Sequence, residues 1–177
     1  MTVKTTKREY PKFECKKCGK CCKGLLMRDL GILRGLTLLP KERQLFSEST
    51  VAPGLGFGKD PDDKTFRVVT YQLKLDDCPK LEDNLCMIYD NRPASCRQFP
   101  FSYDINSETG DTLLGVDLNC PAVLDLIEKS SQLYFEERSS AERILEIKRL
   151  LANKTKIAWL YDLEKMNWMP MNNQIKV

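Results

Sequence analysis

Apolar and polar positions alternate differently in three parts of the chain. From Thr65 to Leu73 the run TFRVVTYQL is rich in β-branched and aromatic residues and predicts a strand. FPFSYDI and DTLLGVDL flank the polar NSETG, which predicts a β-hairpin of 99–105 with 111–118. Earlier, PKERQLFSES (40–49) reads as a short helix with proline in its first turn. APGLGFGKDPDD after it reads as a loop by composition. In the stretch 78–101, Pro93 suits the first turn of a short helix that Pro100 ends.

After Pro121 the pattern becomes helical and charged. Leu124, Leu126 and Ile127 open an amphipathic segment running to about residue 137. Ser139 with Glu142 fits a capping box, and Ile144, Leu145, Ile147, Leu150 and Leu151 follow at helical spacing. KTKIAWLYDLEKM continues the reading as a third helical piece. These elements predict an α+β fold: a small single domain with an irregular cysteine-rich centre, a small antiparallel sheet and C-terminal helices. The expected division is a cysteine-cluster, metal-binding region at 1–120 and a helical extension at 121–177 packed on it.

Composition narrows the class. In 177 residues, 42% are apolar and 30% charged, enough to bury a core without disulfide staples. The basic start has no apolar stretch behind it, and runs such as LTLLP are far too short to span a bilayer. The expectation is a cytoplasmic protein with no membrane span, in a compartment that keeps thiols reduced. There, many cysteines more often mean metal than bridges. The formal charge of +3 assumes neutral thiols. One four-thiolate [4Fe–4S]2+ cluster, itself carrying about two negative charges, would nearly cancel it, and a second would make the chain slightly acidic. The mild basicity is therefore no argument for nucleic acid.

The eight cysteines are Cys15, Cys18, Cys21, Cys22, Cys78, Cys86, Cys96 and Cys120. Four fall within CKKCGKCC, among lysines and a glycine, which is no core segment. Cys120, standing alone, has the bland alternative of a small buried hydrophobe, the less favoured of its two readings. A thioredoxin-like pair needs one CxxC at a strand-to-helix turn, and no strand precedes this run. A tetrathiolate zinc site usually takes two CxxC hooks far apart in sequence, whereas the later cysteines here are single. C-x2-C-x2-C matches the first three ligands of a bacterial ferredoxin run, whose fourth cysteine precedes proline; Cys78–Pro79 and Cys120–Pro121 both have that form. With thiols and no histidine, iron–sulfur ranks first and zinc second.

On an extended backbone, Cys21 and Cys22 would project to opposite sides. This predicts a division of labour. Cys15, Cys18 and Cys21 with one remote cysteine hold one centre, and Cys22 with the other three holds a second or is a spare thiol. The cofactor expected is an iron–sulfur cluster, one or two, with zinc as the alternative.

FECKKCGKCCKG followed by CPKLEDNLCMIYDNRPASCRQFPF resembles the cysteine-cluster family described as a zinc- or iron-chelating domain, the CxxCxxCC or YkgJ-type proteins. The same motif occurs in the flagellin lysine-N-methylase group. The likeness covers roughly 13–101, with Cys120 as the late cysteine. It implies metal or iron–sulfur binding, and only loosely a protein-methylating activity.

Other constellations weigh less. GLGFG (54–58) lacks the strand before and helix after that a cofactor loop needs, so a flexible loop is expected there. The radical S-adenosylmethionine spacing C-x3-C-x2-C does not occur. Arg92 and Arg97 flank Cys96, either as ordinary surface arginines or as donors that offset the charge of a cluster. The lysines around the hook either solvate it or steer an acidic redox or other protein partner. Phe13, Tyr89, Phe99 and Phe101 either shield a cluster or pack a core. With no histidine, His-based triads and zinc hydrolases are excluded. The expected activity is electron transfer or a part in an oxidoreductase system, with a structural zinc module for protein contacts as the competitor.

Overall fold

The computed structural model describes residues 12–29, 31–106, 108–129, 135–152 and 157–171. In chain order the strands are β1 (Met27–Asp29), β2 (Ile32–Arg34), β3 (Thr37–Leu38), β4 (Val51–Phe57), β5 (Arg67–Leu73), β6 (Leu81–Glu82), β7 (Leu85–Cys86), β8 (Phe101–Ile105), β9 (Thr112–Val116), β10 (Ala158–Asp162) and β11 (Asn167–Pro170). The α-helices are α1 (Ala94–Gln98), α2 (Pro121–Lys129) and α3 (Arg138–Ala152). The α+β class holds: a five-stranded antiparallel sheet in the order β11-β10-β4-β5-β3, two-stranded ribbons, and helices.

The strand expected at 65–73 is β5, and the expected hairpin is β8–β9, with Phe101 opposite Val116 and Ile105 opposite Thr112. The short helix between Pro93 and Pro100 is α1. Three other expectations need correction. The 40–49 segment makes two 3-10 turns, Glu42–Leu45 and Glu48–Thr50, in place of one helix. The glycine-rich segment expected as a flexible loop is β4, paired with β5 on one side and β10 on the other. Pro53 and glycine are poor strand formers alone, but the sheet uses them. The register shifts at Pro53/Leu55, and a Cβ on Gly56 would lie 2.3 Å from the Phe66 ring. Turns, not a helix, follow this glycine run.

The third correction concerns the C-terminal part. Residues 153–156 lie outside the described residues, but 158–162 form β10 where a helix was expected. Ala158, Leu160 and Asp162 are buried while Trp159 and Tyr161 are half-buried, the period of two that a sheet imposes. β10 pairs with β4 and β11, so the segment after residue 120 returns to the main sheet. α3 also starts just before Ser139, with the Glu137 carbonyl accepting from the Ser140 and Ala141 N–H groups in place of a Ser139 cap. Of the amphipathic segment expected to reach about residue 137, α2 accounts for Pro121–Lys129, and 130–134 lie outside the described residues.

Two core clusters frame the cysteine loops. Leu25, Leu38, Phe46 and Leu73 pack under the sheet edge, with Cys78 against them. Phe101, Cys120, Val123, Leu126, Phe135 and Ala141 join β8 to α2 and α3, with Phe13 and Phe99 packed on them. Gln72 is buried and fully used: its Oε1 accepts from the Gly35 N–H, and its Nε2 donates to the Pro53 and Tyr161 carbonyls. The cysteine loops are thereby held between two packed bodies. Among the described residues, no helix is long and apolar enough to cross a membrane.

Candidate metal centre

The hook is shaped by backbone geometry. Lys17 and Gly19 both take positive φ, 53° and 71°, and reverse the chain twice within three residues. The Lys17 N–H donates to the Cys15 sulfur at 3.3 Å, and the 3-10 turn Lys20–Cys22 closes with the Cys22 N–H on the Gly19 carbonyl at 3.0 Å. Gly19 is required twice over: its φ favours glycine, and a Cβ there would sit 2.9 Å from Asn84 Oδ1. Asn84 belongs to the tight turn between β6 and β7, where Asp83 and Asn84 adopt φ of 47° and 61°. That pair of left-handed residues is the one a two-residue hairpin demands.

The remote cysteines are delivered by separate elements. Cys78 donates its backbone N–H to the Cys22 carbonyl at 2.8 Å, which fastens the second cysteine block to the first. Cys86 ends β7, paired across the ribbon with Leu81. Cys96 sits in α1, its N–H on the Pro93 carbonyl at 2.9 Å. Cys120 precedes α2, whose opening N–H groups at Ala122 and Val123 approach its sulfur. The Lys16 ammonium reaches the Asp125 carboxylate and the Pro121 carbonyl, drawing the hook onto α2.

The result is a cavity of about 460 Å³, open mouth included, lined by Cys15, Cys18, Cys21, Cys96 and Cys120 together with Phe13, Phe99 and Arg92. Cys120 is 7% exposed, so it is both a buried core residue and a wall of this cavity. Among the described residues, no three Cys, Asp or Glu side chains are gathered within reach of one metal ion. The five thiols surround a space instead of meeting at a point. All eight cysteines are free.

Cys22 stands apart from that cavity. The extended backbone expected for the vicinal pair is absent, because the 3-10 turn carries both residues and brings their sulfurs to 4.0 Å. The turn nonetheless separates their surroundings. Cys21 lines the cavity, whereas the Cys22 thiol is hydrogen-bonded between Cys21 and Cys78. Holding its proton for two neighbours drives the Cys22 thiol well above its ordinary value. The same contact lowers its neighbours. Cys78 falls to about 6, and Cys21 to about 7, each by accepting from Cys22 against the opposing effect of burial. Burial, reinforced by the charges of Cys78, Cys21 and Cys86, pushes Cys96 up to about 12. Burial is the main cause that raises Cys120, and the nearby Cys18 and Cys15 thiols act in the same direction.

The two arginines are sorted by the structure. Arg92 lines the cysteine cavity and its charge favours the thiolates of Cys21 and Cys96. Its Nε donates to the Tyr89 carbonyl at 2.8 Å, and the guanidinium lies 3.8 Å from the Tyr89 ring centroid. Arg97 faces a neighbouring cleft instead. The aromatics divide likewise: Phe13 and Phe99 wall the cavity, and Phe101 is buried in the core behind it. No sequence spacing distinguished Arg92 from Arg97, since both flank Cys96; only the turn at Tyr89–Asn91 and the α1 axis separate them.

The donor chemistry fits a thiophilic metal: only thiols line the cavity as soft ligands, and the chain has no histidine. The comparison with known families agrees. The CxxCxxCC family, described as "Putative zinc- or iron-chelating domain", matches residues 14–121, which span every cysteine, and the chain belongs to that family. Neither the curated proteins nor the solved structures supply a match.

Proposed function

We propose that this protein binds iron–sulfur clusters through its cysteine thiolates and serves electron transfer or an oxidoreductase system. The observation that carries the reading is a cavity walled by four thiols of one set, Cys15, Cys18, Cys21 and Cys120, and by Cys96 of another, which suits polynuclear clusters better than a single ion. A tetrahedral zinc site holds its sulfurs at about 2.3 Å from one point, so they must converge. The contacts support two centres. Cys15, Cys18, Cys21 and Cys120 would hold the first. Cys22, Cys78, Cys86 and Cys96, linked by the Cys22–Cys78 hydrogen bond and by the neighbourhood of Cys96 with Cys78 and Cys86, would hold the second. Residues 1–120 would thus form the metal-binding region.

When bound, a cluster supplies single-electron exchange at a potential set by charge, hydrogen bonds and solvent access. The chain's own contributions are legible. Arg92 offsets thiolate charge, the Lys17 N–H donates to Cys15, and Phe13 and Phe99 limit water at the wall. Lys17, Lys20 and Lys23 are exposed on the hook and would steer an acidic redox partner, an effect that fades with salt.

Anaerobic purification tests the reading. The expected result is a brown protein, with stoichiometric iron and sulfide, whose visible absorption bleaches with dithionite. A colourless protein carrying stoichiometric zinc would overturn it and make the site a structural module. The methylating alternative rests on the family likeness alone, because the glycine run that resembles a cofactor loop is strand β4 followed by turns. Mass spectrometry of the native protein for bound S-adenosylmethionine would test it.

A further inference from the structure

A second cleft opens beside the thiol cavity, with about 460 Å³ of space including its mouth. Phe13, Arg92 and Phe99 line both, so the two spaces share a wall. The cleft's other sides come from Arg97, Phe135 and Glu136. The aromatic side is rigid. Phe13 meets Phe101 edge-on at 5.9 Å, and Phe101 meets Phe135 at 5.0 Å. Phe101 and Phe135 are buried and hold this wall in place, while the half-buried Phe13 and Phe99 offer the apolar surface.

The polar groups are unequal in how far they are committed. Glu136 is tied to Lys12 at 2.9 Å, and Glu137 accepts from the Ser140 hydroxyl at 3.1 Å. Arg92 is committed to the thiol side: its Nε donates to the Tyr89 carbonyl and its guanidinium lies 3.8 Å from the Tyr89 ring centroid. Arg97 is half-buried and, among the described residues, has neither ion pair nor side-chain hydrogen bond. A half-buried guanidinium without a partner beside aromatic walls is a fork of donors suited to a carboxylate.

The geometry points to this cleft as a binding site for a small organic carboxylate with a flat apolar body, seated against Phe13 and Phe99 with its carboxylate on Arg97. Such a ligand would lie one side chain away from the thiol cavity. The site would therefore admit a substrate or a regulator of the proposed metal centre; that role rests on the metal-binding reading, while the binding itself does not.

The probe is benzoate, with benzyl alcohol as its uncharged counterpart, titrated into the purified full-length protein and followed by saturation-transfer NMR. Metal content is measured on the same samples. The expected result is saturable benzoate binding at least tenfold tighter than that of benzyl alcohol. R97Q should weaken benzoate at least fivefold with metal content unchanged, and Glu136→Gln should leave it as tight or tighten it. Equal binding of the two probes, no saturable benzoate binding, or an R97Q protein that binds benzoate normally would each overturn the proposal. Loss of metal in R97Q would overturn it too, by assigning Arg97 to the thiol centre. Because benzoate binding is scored independently of metal content, a protein that lacks iron but binds benzoate through Arg97 would refute only the iron–sulfur reading.

Discussion

Replacing Gly19 by alanine perturbs the hook without touching a thiol. Gly19 holds φ of 71°, and a left-handed conformation costs a residue with a Cβ about 1–2 kcal/mol. The new Cβ would also lie 2.9 Å from Asn84 Oδ1 and 3.4 Å from both the Cα and the Cβ of Asn84. Rotating the Asn84 amide relieves the first contact, and the other two are at ordinary van der Waals distance, so the conformational cost is the main one. If the hook must keep this turn to present Cys18 and Cys21 together, the cost falls on metal retention. At about 1.4 kcal/mol per factor of ten, Gly19→Ala should weaken retention roughly 5- to 30-fold. The assay is competition with a chromogenic chelator, with circular dichroism to check the fold. Gly24→Ala is the control: φ is 64° there too, but nothing lies within 4 Å of the added Cβ. Adding Asn84→Gly to Gly19→Ala should recover the contact part of the loss and leave the conformational part. Retention within twofold of the original protein in Gly19→Ala would refute the idea that this turn sets the thiol geometry.

The remaining expectations can be checked separately. Cys22→Ser should remove about half the iron, from about eight atoms per chain to about four if two four-iron clusters are present; complete loss would show that one centre uses both vicinal thiols. In the metal-free protein at pH 7, iodoacetamide should alkylate Cys78 first, because its pKa is lowered to about 6, and spare Cys96, which burial holds at about 12. Equal rates at the two sites would contradict the thiol network. Asp162 is fully buried, and its Oδ1 accepts from the Leu33 and Glu164 N–H groups at 3.2 and 3.0 Å. Asp162→Ala should cost about 2–6 kcal/mol in urea unfolding, since each of the two abandoned donors costs about 1–3 kcal/mol. Burial alone would raise the Asp162 pKa, but the N–H groups of Glu164, Leu33 and Lys165 outweigh it, and the net shift is downward. Its contribution is thus complete above the unfolded-state pKa of about 3.9 and is lost as pH falls from there through the lower folded value. An Asp162→Ala protein with unchanged stability at pH 7 would refute this role.

The part of the site that is legible in the sequence is the part whose residues carry local information. The hook CKKCGKCC is legible because its chemistry lies within eight residues and its lysines rule out a core segment. The Pro93–Pro100 helix and the β8–β9 hairpin are legible because proline and turn residues mark their ends. β4 was hidden because Pro53, Gly54 and Gly56 contradict strand propensity; pairing with β5 and β10 and the close approach of Phe66 decide it. β10 was hidden because Leu160 also fits helical spacing, and only its place beside β4 makes alternate residues buried.

Read from its sequence alone, this is a cysteine-rich, histidine-free chain of α+β class with a ferredoxin-like hook, in which thiols are the expected metal ligands. Ligand type and short-range spacing are local properties, and they survive without a fold. Tertiary structure decided which distant cysteine meets which. Cys120 reaches Cys15 and Cys18 because Lys16 ties the hook to α2, and Cys78 reaches Cys22 through one backbone hydrogen bond. It also decided that Arg92 serves the thiols while Arg97 faces the next cleft. Those assignments depend on contacts between residues far apart in the chain, whose energies no local pattern encodes.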